Sequence, residues 1–449
     1  MFIGREKELE TLERKIESNQ FEFGIVYGRR RIGKTRLLQE ITKKYNAIYY
    51  VANEMGLTYN LKQLSHTITS FFNEPFTFDS LESIFEYLAK KSQDERIIIM
   101  IDEFTYLMST NPEIQSILQN IIDHTLLDSK VKLIISGSHV GMIEDALTYQ
   151  KPLYGRATFK MKIEPFDYLD ASKFYPQATD EDKVRLYSIF GGIPFYTSKI
   201  DDSKSIKENI ISLIIEDGAV FEDEITFFLS QEVRSIATYG KVMNAIAAGA
   251  TRLNEIATKS GIGNTGTTSK YLDLLMTLGI VEREYCFGEK TNSRKTIYQI
   301  KDQLFNFHYQ FIEKNQTRKA IMTAENFYNT LIEDHLDQFV SFEFEKVCRD
   351  FLKRKYQATI EEIGRYWYNE SKSKKNIEID IVMKESGSLY AFECKWTNSP
   401  LGVKVLNELE EKTKHLSKGH VTTGLFSRSG YSKSIDNKLT FTVNDLYNV

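Results

Sequence analysis

Cysteine is scarce in this chain: of 449 residues only Cys286, Cys348 and Cys394 are cysteine. Their wide separation offers neither metal-ligand spacing nor a disulfide framework, which suits a reducing compartment. Long apolar runs are missing too, since no stretch approaches the ~18 residues that would span a bilayer. The opening Met-Phe-Ile-Gly-Arg-Glu-Lys-Glu is charged by its fifth residue. No membrane partner and a cytoplasmic location are therefore expected. Nor is one sign of charge in excess, because 58 basic against 62 acidic residues leave a formal net charge of −4. Without a global basic field, any contact with nucleic acid has to be local. Internal repeats and low-complexity tracts are absent as well. What remains, with 41% hydrophobic residues, is a globular chain with room for about three domains.

The most specific pattern runs from Gly28 to Thr35, Gly-Arg-Arg-Arg-Ile-Gly-Lys-Thr, entered from the apolar Gly24-Ile25-Val26-Tyr27 and followed by the helix-forming Arg36 to Ile41. Glycines at 28 and 33 let backbone N–H groups curl around phosphates, and the helix that follows points its positive dipole end at the same charge. Lys34 would bridge the β- and γ-phosphate oxygens of ATP and Thr35 would give its hydroxyl to Mg²⁺. Arg29, Arg30 and Arg31 are either tolerated loop residues or contacts to nucleotide or partner. The all-apolar strand Ile97 to Ile101 ends in Asp102-Glu103, as a buried parallel strand should. Asp102 can organise the Mg²⁺ shell while Glu103 polarises the attacking water. After the strand Lys132 to Ile135, Ser136-Gly137-Ser138 is an ordinary turn or places Ser136 as a γ-phosphate sensor, and Arg156 is a candidate for stabilising phosphoryl charge or a structural arginine.

Beyond Arg156 the pattern turns helical and reaches Gly191-Gly192-Ile193-Pro194. From Tyr239 to Ile300 the spacing suggests a winged helix-turn-helix, with Thr267 to Leu278 as recognition helix and Val281 to Cys286 and Thr296 to Ile300 as wing strands. Lys270, Lys290, Arg294 and Lys295 could meet DNA phosphates there, or the module packs as a protein contact. The aromatic segment from Asp302 to about Phe339 reads as a packing connector.

A second constellation lies near the carboxyl end. Ile377 to Val382 and Leu389 to Trp396, joined by Ser386-Gly387-Ser388, read as a β-hairpin. Glu393 and Lys395 share one face of their strand, and Asp380 can face them from the neighbouring one. Asp380 and Glu393 would hold Mg²⁺ or Mn²⁺, Lys395 would act on a scissile phosphate, and Glu345 on the preceding helix would be a fourth member. A surface ion pair between Glu393 and Lys395 is the plainer alternative. Lys372, Lys374 and Lys375 are either DNA-facing or a solvated loop.

Taken together, Gly28 to Thr35, Ile97 to Glu103, Tyr154 to Arg156, Gly191 to Pro194 and the Asp380, Glu393, Lys395 set resemble one architecture across essentially the full chain. It is similar to the archaeal-type STAND/AAA-like P-loop ATPases that carry a winged helix and a carboxyl-terminal PD-(D/E)xK nuclease-like domain of unknown function. The resemblance implies an α/β fold, a P-loop parallel sheet with helical lid and winged helix, then a restriction-endonuclease-like αβββαβ domain. Its expected divisions are 1–165 for the ATPase, 166–235 for the lid, 236–305 for the winged helix, 306–340 for the connector and 341–449 for the nuclease-like domain. It also implies that Gly4-Arg5-Glu6 and Gly192 to Pro194 approach the nucleotide base. In place of the family's Pro-Asp, this chain has Ile379-Asp380. Three functions follow: an ATPase controlling a DNA-binding or DNA-cleaving module, an ATP-gated switch with a silent nuclease-like domain, or a DNA-binding regulator. The resemblance also admits nucleotide-dependent assembly of copies, with Arg156 acting in its own chain or a neighbour's.

Overall fold

The computed structural model describes residues 2–290, 293, 295–370, 375–417, 419–432, 435 and 439–448. Expected phosphate contacts at Arg294, Lys372 and Lys374 lie outside the described residues, and for Lys375 only the backbone is described. The chain forms two compact units, Met1–Pro165 and Phe166–Val449. None of the helices among the described residues is long and apolar enough to cross a membrane.

The first unit is built on a five-stranded sheet of β1 (Glu22–Tyr27), β2 (Ile48–Val51), β3 (Ile98–Asp102), β4 (Lys132–Gly137) and β5 (Phe159–Lys162), in the order β2-β3-β4-β1-β5. All pairings are parallel. Ile98 to Asp102 and Lys132 to Gly137 are buried throughout, which is why their sequences are apolar runs rather than alternating ones. Gly24 packs under the Phe159 ring, which would have to shift for a Cβ that would lie 2.1 Å from it. Helix α1 (Glu6–Ile16) precedes β1, and α2 (Lys34–Lys44) leaves the loop after β1 from Gly33, whose φ of 93° suits glycine. With every strand parallel, the loops at their carboxyl ends share one edge of the sheet, where ligands bind in open α/β folds.

The second unit opens with short helices capped by Asp167 and Thr179. Gly192 touches the backbone of Phe166 so closely that a Cβ would stand 1.7 Å from its carbonyl oxygen. Packing alone therefore demands this glycine. Three helices follow, α3 (Ile236–Ala247), α4 (Leu253–Lys259) and α5 (Thr265–Thr277), then the antiparallel hairpin of β6 (Val281–Tyr285) and β7 (Thr296–Ile300). Val242, Ile256, Leu272, Leu275, Val281 and Ile300 make their common core.

Helix α6 (Glu333–Lys355) runs unbroken through residue 340, where a connector was expected to end. It leads into β8 (Ile360–Glu370), β9 (Lys375–Glu385) and β10 (Ser388–Lys395), then α7 (Val403–Thr413), β11 (Val421–Ser427) and β12 (Leu439–Thr442). The sheet order is β12-β11-β10-β9-β8. β10 is antiparallel to β9 and parallel to β11. The tight β9–β10 turn places Ser386 and Gly387 at φ 46° and 79°, as a two-residue hairpin of this hand requires.

Candidate functional site

At the carboxyl edge of the first sheet, Asp102 is wholly buried and saturated with donors. Oδ2 accepts from Thr35 at 2.7 Å and from the Tyr49 hydroxyl at 2.6 Å. Oδ1 accepts from the Ser136 hydroxyl and from the Glu103 amide, the latter at 3.0 Å. Burial, with Asp102 as its hydrogen-bond acceptor, pushes the Tyr49 phenol well up, so it remains a donor at neutral pH.

The phosphate loop closes on itself. Buried Lys34 donates from Nζ to the carbonyls of Gly28 and Arg29 at 2.9 and 3.1 Å. Gly28 has φ 156° and lies against Ile163, whose carbonyl would be 2.5 Å from a Cβ. Arg5 donates to the carbonyls of Ile32 and Glu164 at 3.4 and 2.7 Å, bracing the loop from behind. Arg30 reaches the Tyr106 hydroxyl at 3.2 Å. A hydroxyl and a carboxylate already in contact, Thr35 and Asp102, next to a lysine folded on loop carbonyls, are a donor set that fits a magnesium nucleotide.

Glu103 follows in a left-handed conformation, φ 54°, a strained backbone of the kind that clusters at working sites. Its carboxylate accepts from the Ser138 hydroxyl. The Ser136 hydroxyl, fully buried, donates to Asp102 and accepts the Glu103 amide at 3.2 Å. Arg156 pairs with Asp123 through Nε and Nη2 at 2.9 and 2.6 Å. Because Phe159 pairs with Gly24 and Lys162 with Tyr27, Arg156 precedes the amino ends of these strands, at the edge opposite the phosphate loop. It cannot stabilise phosphoryl charge in its own chain. Tyr49 and Ser138 were missed; an apolar strand and a Ser-Gly-Ser turn gave no reason to single them out.

In the second unit, the β9–β10 register of Ile381 with Phe392 brings Asp380 beside Glu393. Asp380 Oδ2 accepts the Cys394 amide at 2.8 Å. Glu393 does not present free oxygens, however. Lys395 donates to its Oε1 at 2.7 Å, and Lys412 of α7 donates to Oε1 and Oε2 at 3.0 and 2.9 Å. Glu345 faces Arg365 at 3.9 Å. Among the described residues, no group of three or more His, Cys, Asp or Glu is arranged to hold a metal ion. Of the expected set of Asp380, Glu393 and Glu345, Glu393 is bonded here to two ammonium groups.

Electrostatics carries the imprint of that crowding. Burial, reinforced by Asp380, pushes Glu345 up to about 8, and burial with Glu393 pushes Asp380 up to about 6 against the pull of Lys395. An acid with a raised folded value holds its proton longer than the unfolded chain does. Its stabilising contribution is present below the unfolded value of 4.5 and is lost as pH rises through about 8. In chelator, thermal stability should therefore fall across this window, and Glu345→Gln, which stays neutral, should flatten the decline when unfolding midpoints are compared. An identical slope in both proteins would contradict the raised value.

Comparison with known proteins places these sites in context. Residues 2–200 match the family described as an ATPase domain predominantly from Archaea, and residues 308–414 match one described as archaeal and bacterial proteins of unknown function. An uncharacterized protein of Methanocaldococcus jannaschii is 32% identical over 406 residues, 88% of each chain. An uncharacterized ATP-binding protein of the same organism is 52% identical over 40 residues, 9% of this chain and 68% of that one. Among solved structures, a Walker-type ATPase of Pyrococcus abyssi superposes with a TM-score of 0.53 at 20% identity, over 69% of this chain and 96% of that one. That likeness is one of fold.

Proposed function

The chain belongs to an archaeal P-loop ATPase family and also carries a carboxyl-terminal domain of unknown function, and from that premise we propose that it is a magnesium-dependent ATP hydrolase whose nucleotide state governs the carboxyl-terminal domain. The observation that carries the hydrolase reading is the Thr35–Asp102–Glu103 array beside Lys34. Lys34 would exchange the Gly28 and Arg29 carbonyls for β- and γ-phosphate oxygens, while loop N–H groups cradle the same charge. Thr35 and Asp102 would hold Mg²⁺, which when bound neutralises phosphate charge and orients the γ-phosphoryl group. Glu103, its carboxylate steadied by Ser138, polarises the attacking water.

For the carboxyl-terminal domain, the succession α6, β8, β9, β10, α7, β11, with Glu345 on the helix and Asp380, Glu393 and Lys395 on adjoining strands, supports a nuclease-like module that meets DNA. A second reading, an ATP-gated switch with a silent nuclease-like domain, is favoured by the neutralisation of Glu393 by Lys395 and Lys412. The order of α3, α4, α5 and the β6–β7 hairpin supports a winged helix.

Lys34→Ala should lose ATP binding and turnover, whereas Glu103→Gln should keep binding while turnover falls by about a hundredfold or more. Unchanged turnover in either variant would remove the hydrolase assignment. Supercoiled DNA incubated with Mg²⁺ or Mn²⁺, with and without ATP, separates the two readings of the carboxyl-terminal domain. Nicking abolished by Lys395→Ala supports the nuclease; intact DNA beside measurable ATP hydrolysis supports the switch.

A further inference from the structure

Edge strand β2 reaches the buried Asp102 from outside both nucleotide motifs. Tyr49 pairs with Met100 and Val51 with Asp102, so Tyr49 stands two positions behind the acid, a step of about 6.6 Å along a strand. A phenol is long enough to span that step. Its hydroxyl donates to Asp102 Oδ2 at 2.6 Å, within the range of about 2.5–2.7 Å for a hydroxyl bonded to an ionised carboxylate. The strand is fastened to the same residue by its main chain, since the Ala52 amide donates to the Asp102 carbonyl at 2.9 Å. Tyr50, whose side chain faces the other way, gives its hydroxyl to Asn60 Oδ1 at 2.7 Å instead. Asn60 Oδ1 also accepts the Asn53 amide at 2.9 Å, so this second phenol braces the loop after β2.

An ionised carboxylate offers about four acceptor positions, and those of Asp102 are all taken. Thr35 and Tyr49 share Oδ2, at 2.7 and 2.6 Å, while the Ser136 hydroxyl and the Glu103 amide share Oδ1. Thr35 spends its single proton on Oδ2 and keeps its lone pairs for an ion. Where those lone pairs point follows from where Oδ2 is held, and Tyr49 is the partner of Oδ2 that comes from neither motif. We propose that Tyr49 is a positioning residue for the magnesium nucleotide: by fixing Oδ2 against the Thr35 hydroxyl, it raises the affinity of the site for Mg²⁺ without itself touching ion or phosphate. This role rests on Thr35 and Asp102 being the pair that holds the ion. Groups that orient metal ligands from behind typically change metal affinity by about 10–100-fold. A phenol that only satisfied a buried charge would instead lower stability and leave the response to Mg²⁺ untouched.

Binding of a fluorescent ATP analogue to the full chain, followed in chelator and through a Mg²⁺ titration, separates these roles without recourse to turnover. Tyr49→Phe keeps the ring and loses the donor. Its affinity in chelator should match the wild type, whereas the Mg²⁺ concentration giving half of the ion's effect should rise about tenfold. Tyr50→Phe removes a hydrogen-bonded hydroxyl from the neighbouring residue and should keep the wild-type Mg²⁺ midpoint. An equal rise in Tyr50→Phe, or binding by Tyr49→Phe lost already in chelator, would overturn the proposal. If the wild type responds to Mg²⁺ and Tyr49→Phe responds at the same concentration, the role of Tyr49 falls alone. A wild type whose affinity ignores Mg²⁺ would remove the magnesium-nucleotide reading and the role of Tyr49 with it.

Discussion

The first unit is organised around one buried carboxylate. Asp102 ends the third strand of the parallel sheet, and its two oxygens collect donors from the first turn of α2 (Thr35), from β2 (Tyr49), from β4 (Ser136) and from the next amide in the chain. An isolated anion would be costly at full burial, so each of these donors offsets the desolvation. Together they fix the helix after the phosphate loop against the strand that carries the acids. Nucleotide chemistry needs the same registration. Thr35 and Asp102, the pair proposed to hold Mg²⁺, are already 2.7 Å apart, so little reorganisation would remain for the bound state.

The second unit answers buried carboxylates differently. Glu393 is matched by Lys395 and Lys412, whereas Glu345 and Asp380 are held in mutual repulsion with raised proton affinity. Neutralisation by protons and lysines makes the cluster tolerable in a folded chain, and the same groups would have to yield before a cation or a phosphate could bind.

Legibility in the sequence followed the range of the interactions. Gly28 to Thr35 and Ile97 to Glu103 could be read because loop, strand and helix signals are contiguous there, and Ser386-Gly387 announced its turn for the same reason. Asp380 opposite Glu393 was reachable from strand periodicity and a short turn. Contacts that cross the fold were not. Lys412 comes from a later helix, Tyr49 from an edge strand whose pattern is simply apolar, and Asp123 claims Arg156 from 33 residues away. Gly192, expected to approach a nucleotide base, is explained by the Phe166 carbonyl alone.

The central claim is that Thr35 and Asp102 together hold the magnesium of a hydrolysed nucleotide. ATP affinity and turnover of the wild type and of Thr35→Val, each measured with Mg²⁺ and with chelator, test it most directly. The wild type should show Mg²⁺-dependent turnover, and the variant should still bind ATP without the ion but gain nothing from adding it and not turn over. Turnover by Thr35→Val at the wild-type rate, or wild-type hydrolysis indifferent to chelation, would contradict it.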